Sequence, residues 1–178
     1  IEDGAGTGIK AHVNTRKELL VSSDSNDAVH FVAQRDKQSY YVSSSYSAGT
    51  GDEILYLRND SKTQILVVHH ISVGGVLTGL FEVFQVTGTP AGTVVTPKNS
   101  NLTSSNDADA TSYGNAAVTS IVVGDRLVMR RVSATNNAPI HSGASIILGQ
   151  GDAIAVTYTG STGICEAQMH FYFDEETV

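Results

Sequence analysis

Three places in this sequence hold residue types from which chemistry is built. The first is the run Leu148-Gly149-Gln150-Gly151-Asp152-Ala153-Ile154-Ala155-Val156, where a G-x-G stands beside an aspartate. Such glycines hold a phosphate when they follow a strand and open a helix, whose N-terminal dipole faces the anion. Here an alternating, strand-like run follows, so Gln150-Gly151-Asp152 reads as a turn that releases the chain into the penultimate strand. Gly6-Thr7-Gly8 and Gly49-Thr50-Gly51-Asp52 also lack the strand-then-helix context and read as turns. The second place is His69-His70, a candidate metal pair. On a regular strand adjacent side chains point to opposite faces, so the two imidazoles share an ion only if the strand is distorted. The expectation is one histidine toward the core or an interface and the other outward. The third is Asp107-Ala108-Asp109, which resembles the opening of a calcium loop because alternate carboxylates can converge on a hard cation. That pattern then fails, with Ser112 where the loop needs glycine and Val118 where it needs glutamate.

The remaining candidates are sparser. Cys165 is the one cysteine, so no intrachain disulfide forms, and it reads as a small buried hydrophobe. A nucleophilic thiol needs a base and an electropositive setting, and nothing in the sequence places His170 or another histidine beside it. Arg130-Arg131 is a basic doublet, and on a strand it splits between two faces. No H-E-x-x-H, G-x-S-x-G or C-x-x-C is present. These observations predict no catalytic residue, no metal ligand and no cofactor. The formal charge of −7, with 11 scattered Lys and Arg, argues against a direct nucleic-acid partner. No stretch approaches the ~20 apolar residues of a spanning helix, and the first residues lack the apolar core of a signal peptide, so a soluble chain without a membrane partner is expected.

The elements that must position any site alternate with period two. At 178 residues the chain suits one domain. Residues 1–24 are Gly-rich and then polar, with apolar touches from Ile9 to Val13 and Leu19 to Val21. They read as an extended arm that must lie on the main domain, a neighbouring subunit or another protein; Ile9, Val13 and Leu19 are its candidate partner-binding residues. Residues 25–178 form the domain. The segment around Val29, Phe31 and Ala33 fits a strand better than a helix. Gln64 to Val73 is a nearly continuous apolar run, the mark of a strand buried on both faces. At the end, Ile154, Val156 and Tyr158 alternate with Ala153, Ala155 and Thr157. Gly160-Ser161-Thr162-Gly163 then turns the chain, and Cys165, Ala167, Met169, Phe171 and Phe173 alternate with Glu166, Gln168, His170 and Tyr172. This pattern predicts a closing hairpin. Eight or nine short strands with Gly, Ser, Asn and Asp turns predict an all-β, antiparallel sandwich or barrel. One polar stretch, residues 99–117, predicts a long loop, with Tyr113 packed within it or offered as a stacking residue.

The N-terminal "DGAGTGIKAHVNTRKELLVSS", the strand near "HFVA", "EILYLRNDSKTQILVVHHISV", the "TPKNSNL" loop and the closing "LGQGDAIAVTYTGSTGICEAQMHFYF" resemble tailed-bacteriophage virion proteins, the small jelly-roll components that decorate the capsid or the head-to-tail region. The likeness spans most of the chain and rests on turn phrasing and strand order. It implies a jelly-roll sandwich assembled as a homotrimer that binds the major capsid protein or other virion proteins on the outer capsid surface. It carries over no catalytic residues. Two other readings stay open from the residues: a receptor- or glycan-binding head of a spike or fibre, using the 99–117 loop, and a cupin-like metal enzyme, which would need clustered His and carboxylate ligands.

Overall fold

The computed structural model describes residues 38–175. The arm at 1–24, with Ile9, Val13 and Leu19, and the strand expected near Val29 lie outside the described residues. Nine strands follow one another: β1 (Ser39–Ala48), β2 (Asp52–Asn59), β3 (Gln64–Gly75), β4 (Gly79–Ala91), the two-residue β5 (Lys98–Asn99), β6 (Ala110–Val132), β7 (Asn137–Leu148), β8 (Ala153–Gly160) and β9 (Gly163–Glu175). All pairings are antiparallel, and no helix occurs among the described residues. The all-β expectation holds.

The strands form two sheets, one of five strands in the order β5-β1-β9-β3-β7, the other a ring of β2, β6, β4 and β8 closed on itself. With β5 set aside, the pairing is nested. The first strand pairs with the last (β1 with β9), the second with the seventh (β2 with β8), the third with the sixth (β3 with β7) and the fourth with the fifth (β4 with β6). Consecutive strands at both chain ends therefore fall in opposite sheets. This corrects the expected closing hairpin: β8 pairs with β2 and β4, β9 pairs with β1 and β3, and residues 160–163 carry the chain between sheets. Alternation reports that a strand has a buried face but says nothing of which strand lies beside it.

The main core lies between the sheets. In β9 the predicted inward set, Cys165, Ala167, Met169, Phe171 and Phe173, is buried against Tyr40, Val42, Leu66, Val68 and Ile71. Tyr40 stacks on Phe171 with ring centroids 5.6 Å apart. Burying each such large side chain contributes roughly 2–3 kcal/mol. In β8, Ile154, Val156 and Tyr158 enter this core, whereas Ala153 and Ala155 face a second, smaller cluster with Tyr56, Val86 and Val118 inside the closed ring. The two alanines leave room for Tyr56 in a four-stranded ring, which encloses little space.

Two G-x-G-D turns make equivalent sheet-to-sheet crossings, β1 to β2 and β7 to β8. In each the aspartate folds back: Gly49 N donates to Asp52 Oδ2 at 2.7 Å and Gly149 N to Asp152 Oδ2 at 3.0 Å. The aspartate amides donate in return to Gly49 O and Gly149 O at 3.3 and 3.1 Å. The second glycine takes φ 87° at Gly51 and 80° at Gly151, a region where a Cβ is disfavoured. The turn reading of both motifs is thus met.

Beside the second turn, Asn59 is fully buried and satisfied throughout. Its Nδ2 donates to Gln64 O (3.0 Å) and Leu148 O (2.9 Å), and Oδ1 accepts from Ser61 N (2.9 Å). Its backbone pairs with Asp152 O and Gly151 N. One side chain therefore joins the ends of β2 and β7 and the start of β3. Asn59→Ala leaves buried carbonyls unpaired and should cost roughly 3 kcal/mol in urea unfolding. Gly151→Ala, whose new Cβ meets nothing within 4 Å, carries only the backbone penalty of about 1 kcal/mol. Equal losses in the two variants would contradict the bridging role of Asn59.

Candidate functional site

The outer face of the five-stranded sheet is where functional side chains collect. Register sets them in rows across the strands. Tyr41, His170 and His70 share one row, Ser43, Gln168 and Ser72 the next, and Ser45, Glu166 and Gly74 the third, with Asn137 of β7 opposite Gly74.

The histidines depart from the sequence expectation. The register of β3 shifts between Val68 and His70 against both neighbours, which removes the regular alternation at that point. Neither histidine faces the core. His70 stands opposite His170, while exposed His69 sets its ring edge-on to His170 at 6.1 Å. His170 itself is sandwiched: Tyr41 stacks on it at 4.1 Å with an interplanar angle of 10°, and Ser39 Oγ lies 2.9 Å from its Nε2. Burial first, then the neighbouring His69 and His70, push its pKa down to about 4. His70 is lowered as well, by burial, His69 and His141. Among the described residues no group of three His, Cys, Asp or Glu side chains is placed to hold a metal ion.

Beside this row runs a groove of about 490 Å³, lined among others by Tyr41, Ser43, Ser72, Lys98, Asn115 and Gln168. Asn115 forms part of its rim in a left-handed conformation, φ 57°. It is clamped to β1: Ser45 N donates to its Oδ1 at 2.9 Å, and its own N donates to Ser44 Oγ at 2.7 Å.

A second surface is the far half of β6. Residues 110–118 of β6 lie between β2 and the chain that follows β4, but residues 119–132 pair with β4 alone. Their other edge has no strand beside it among the described residues. That half exposes Val122 (65%), Val123, Leu127 and Met129 (54%). Arg126 Nη1 pairs with Glu82 at 2.8 Å, and Arg130 reaches across to Pro139 O.

The other sequence candidates settle as follows. Cys165 is buried, and burial raises its thiol pKa, the opposite of an activated nucleophile. The Asp107–Asp109 segment is held through its backbone: Tyr40 Oη donates to Asp107 O (3.1 Å) and Asp60 N to Asp109 O (3.0 Å). The expected 99–117 loop is shorter, because β6 begins at Ala110. Tyr113 is therefore a strand residue, half-buried edge-on to Tyr56 at 6.0 Å, and does not stack in a loop. Between β4 and β6 the chain makes only β5 and one bridge from Val94 to Tyr113. Tyr41, Ser43, Asn115 and Gln168 escaped the sequence reading, since their only signal, alternation, does not reveal which residues become neighbours across strands. No family model, no curated protein and no solved structure matches this chain.

The depressed pKa of His170 has a stability consequence. The folded chain releases this proton near pH 4, whereas the unfolded histidine titrates near 6.5. Stability from neutral His170 is thus complete above pH 6.5 and declines as pH falls toward 4, by on the order of 2 kcal/mol after allowance for partial exposure. In His170→Gln this part of the pH dependence of urea unfolding should disappear. An unchanged slope between those pH values would contradict the burial of a neutral imidazole.

Proposed function

We propose that this chain is a non-enzymatic virion structural protein that binds and stabilises a phage capsid as a decoration protein, acting as a homotrimer. The observation that carries the assembly part is the 119–132 half of β6. Among the described residues this is a long strand edge with no strand paired to it and with several exposed apolar side chains, a surface that solitary subunits avoid because it pairs with another chain. The occupant we assign is a second copy, with each subunit offering this edge to the next around a closed ring.

The jelly-roll winding belongs to the same proposal. Its support is the nested pairing, with β1-β9-β3-β7 facing β2-β8-β4-β6, which is how a long hairpin rolled into two Greek keys distributes eight strands. Such a sandwich suits a load-bearing role because its contacts are long-range and mutually bonded. The virion setting rests on the resemblance of the phrases quoted above, and the arm at 1–24 is assigned to the capsid or a neighbouring subunit, where ordering on contact supplies attachment.

Two variants test this. Leu127→Glu with Met129→Glu places charge on the free edge and should lower the sedimentation coefficient to that of a single folded chain; an unchanged coefficient would remove β6 from the interface. Deleting residues 1–21 should abolish incorporation into phage particles while the circular dichroism spectrum stays that of a β protein. Normal incorporation would sink the attachment role of Ile9, Val13 and Leu19.

A further inference from the structure

The groove on the outer sheet face has a ligand chemistry of its own, independent of how the subunits assemble. Its floor is the row Ser43, Gln168 and Ser72, and its volume of about 490 Å³ lies within the range that encloses a small molecule. Most such sites are lined largely by apolar groups; this one offers hydroxyls and amides. None of the side chains of Ser43, Ser72, Thr96 or Gln168 is engaged in a hydrogen bond among the described residues. Asn115 spends its Oδ1 on Ser45 N, which fixes the side chain and leaves its Nδ2 donors for a ligand.

The sheet backbone narrows the choice further. β9 and β3 are paired on both edges, and at the β1 side of the groove Ser45 N is already taken by Asn115 Oδ1, so a ligand lying on the floor of the groove bonds to side chains. An extended peptide, which draws its affinity from main-chain pairing at a strand edge, gains little over β9 and β3. One cation, Lys98, and one carboxylate, Glu166, line the groove, so it selects neither a polyanion nor a polycation. At the same end as Lys98 stands Tyr41, 39% exposed, its ring stacked flat on His170. A supported aromatic ring beside hydroxyl and amide groups matches a molecule with an apolar C–H face and hydroxyls around its rim.

We infer that this groove binds a short, uncharged oligosaccharide, with one ring on Tyr41 and its hydroxyls bonded to Ser43, Ser72, Asn115 and Gln168. The recognition chemistry is the same for a free saccharide and for one attached to a surface. The test is a titration of the full chain, labelled with ¹⁵N, with maltotriose, cellotriose, chitotriose and lactose. At least one should give saturable amide shifts centred on Ser43, Asn115 and Gln168 in the roughly millimolar range usual for weak binding. Gln168→Leu, an exposed position whose change leaves the core intact, and Tyr41→Ala should each weaken binding about tenfold, with thermal unfolding recorded as the control. If none of the four sugars gives saturable shifts, if the shifts map elsewhere, or if Gln168→Leu binds as tightly as the unaltered chain, the inference is overturned. Subunit mass is unaffected by Gln168→Leu, so this outcome is separate from that of the edge variants.

Discussion

The ladder between β1 and β9 joins the two ends of the described chain, and every other pairing nests inside it. Ser39 lies opposite Tyr172 and Ala48 opposite Gly163, so the outermost strands hold the five-stranded sheet together at its middle. Once β1 is bonded to β9, β2 and β8 have little choice but to meet on the other layer, because each is connected to its predecessor or successor by a few residues. The paired G-x-G-D turns make those crossings tight. Asn59 then closes the arrangement by tying the end of β2 to that of β7 and the start of β3. The price of this order is entropic: most contacts are between distant residues, and the loop-closure cost precedes the reward.

The same geometry distributes the surfaces. Because β8 is covered on both faces, with Ile154 and Val156 toward the main core and Ala153 and Ala155 toward the ring, the second layer curls away from the first and has its own small interior. β6 completes that ring through both halves, bonding β2 with the first and β4 with the second, and the second half overruns β2 so that its other edge has no strand paired to it among the described residues. The overrun edge and the flat outer face of the other sheet are therefore consequences of one topology. The histidine row and the groove lie on the face, and the apolar residues of β6 lie on the overrun. Tyr41 belongs to both chemical settings of the face, since it covers His170 on one side and borders the groove on the other.

Much of this was legible in the sequence at the level of single strands. The inward set of β9 and the turn at Gln150-Gly151-Asp152 follow from period-two alternation and from glycine where a positive φ is needed. The apolar run of β3, expected to be buried on both faces, is instead buried mainly on one: Leu66, Val68, Ile71 and Val73 enter the core, while His69 is exposed and His70 and Ser72 are half-buried on the outer face. Partnership was not legible. The alternation in β8 and β9 is the same whether the two strands pair or sit in opposite layers, and the short polar connection at 160–163 suits a hairpin equally well. Residues 110–117 looked like loop because Thr, Ser, Gly, Asn and Ala dominate there, yet they form strand because both edges find partners; tertiary pairing overrides weak local preference. The candidate groove was hidden for a related reason, as its serines, Gln168 and Asn115 come from separate elements and become one surface only through register. The meeting of His69 and His70 on one face needed an irregularity in β3 that no local residue announces.

The central claim is that the overrunning edge of β6 is occupied by another copy of the chain. Hydrogen–deuterium exchange on the full chain, followed residue by residue across a dilution series, addresses it directly. The account predicts that the alternate amides of residues 119–132 that point away from β4 are protected at high concentration and lose protection on dilution, while those facing β4 stay protected throughout. Rapid exchange of the outward amides at every concentration, in a chain that otherwise exchanges as a folded domain, would contradict it.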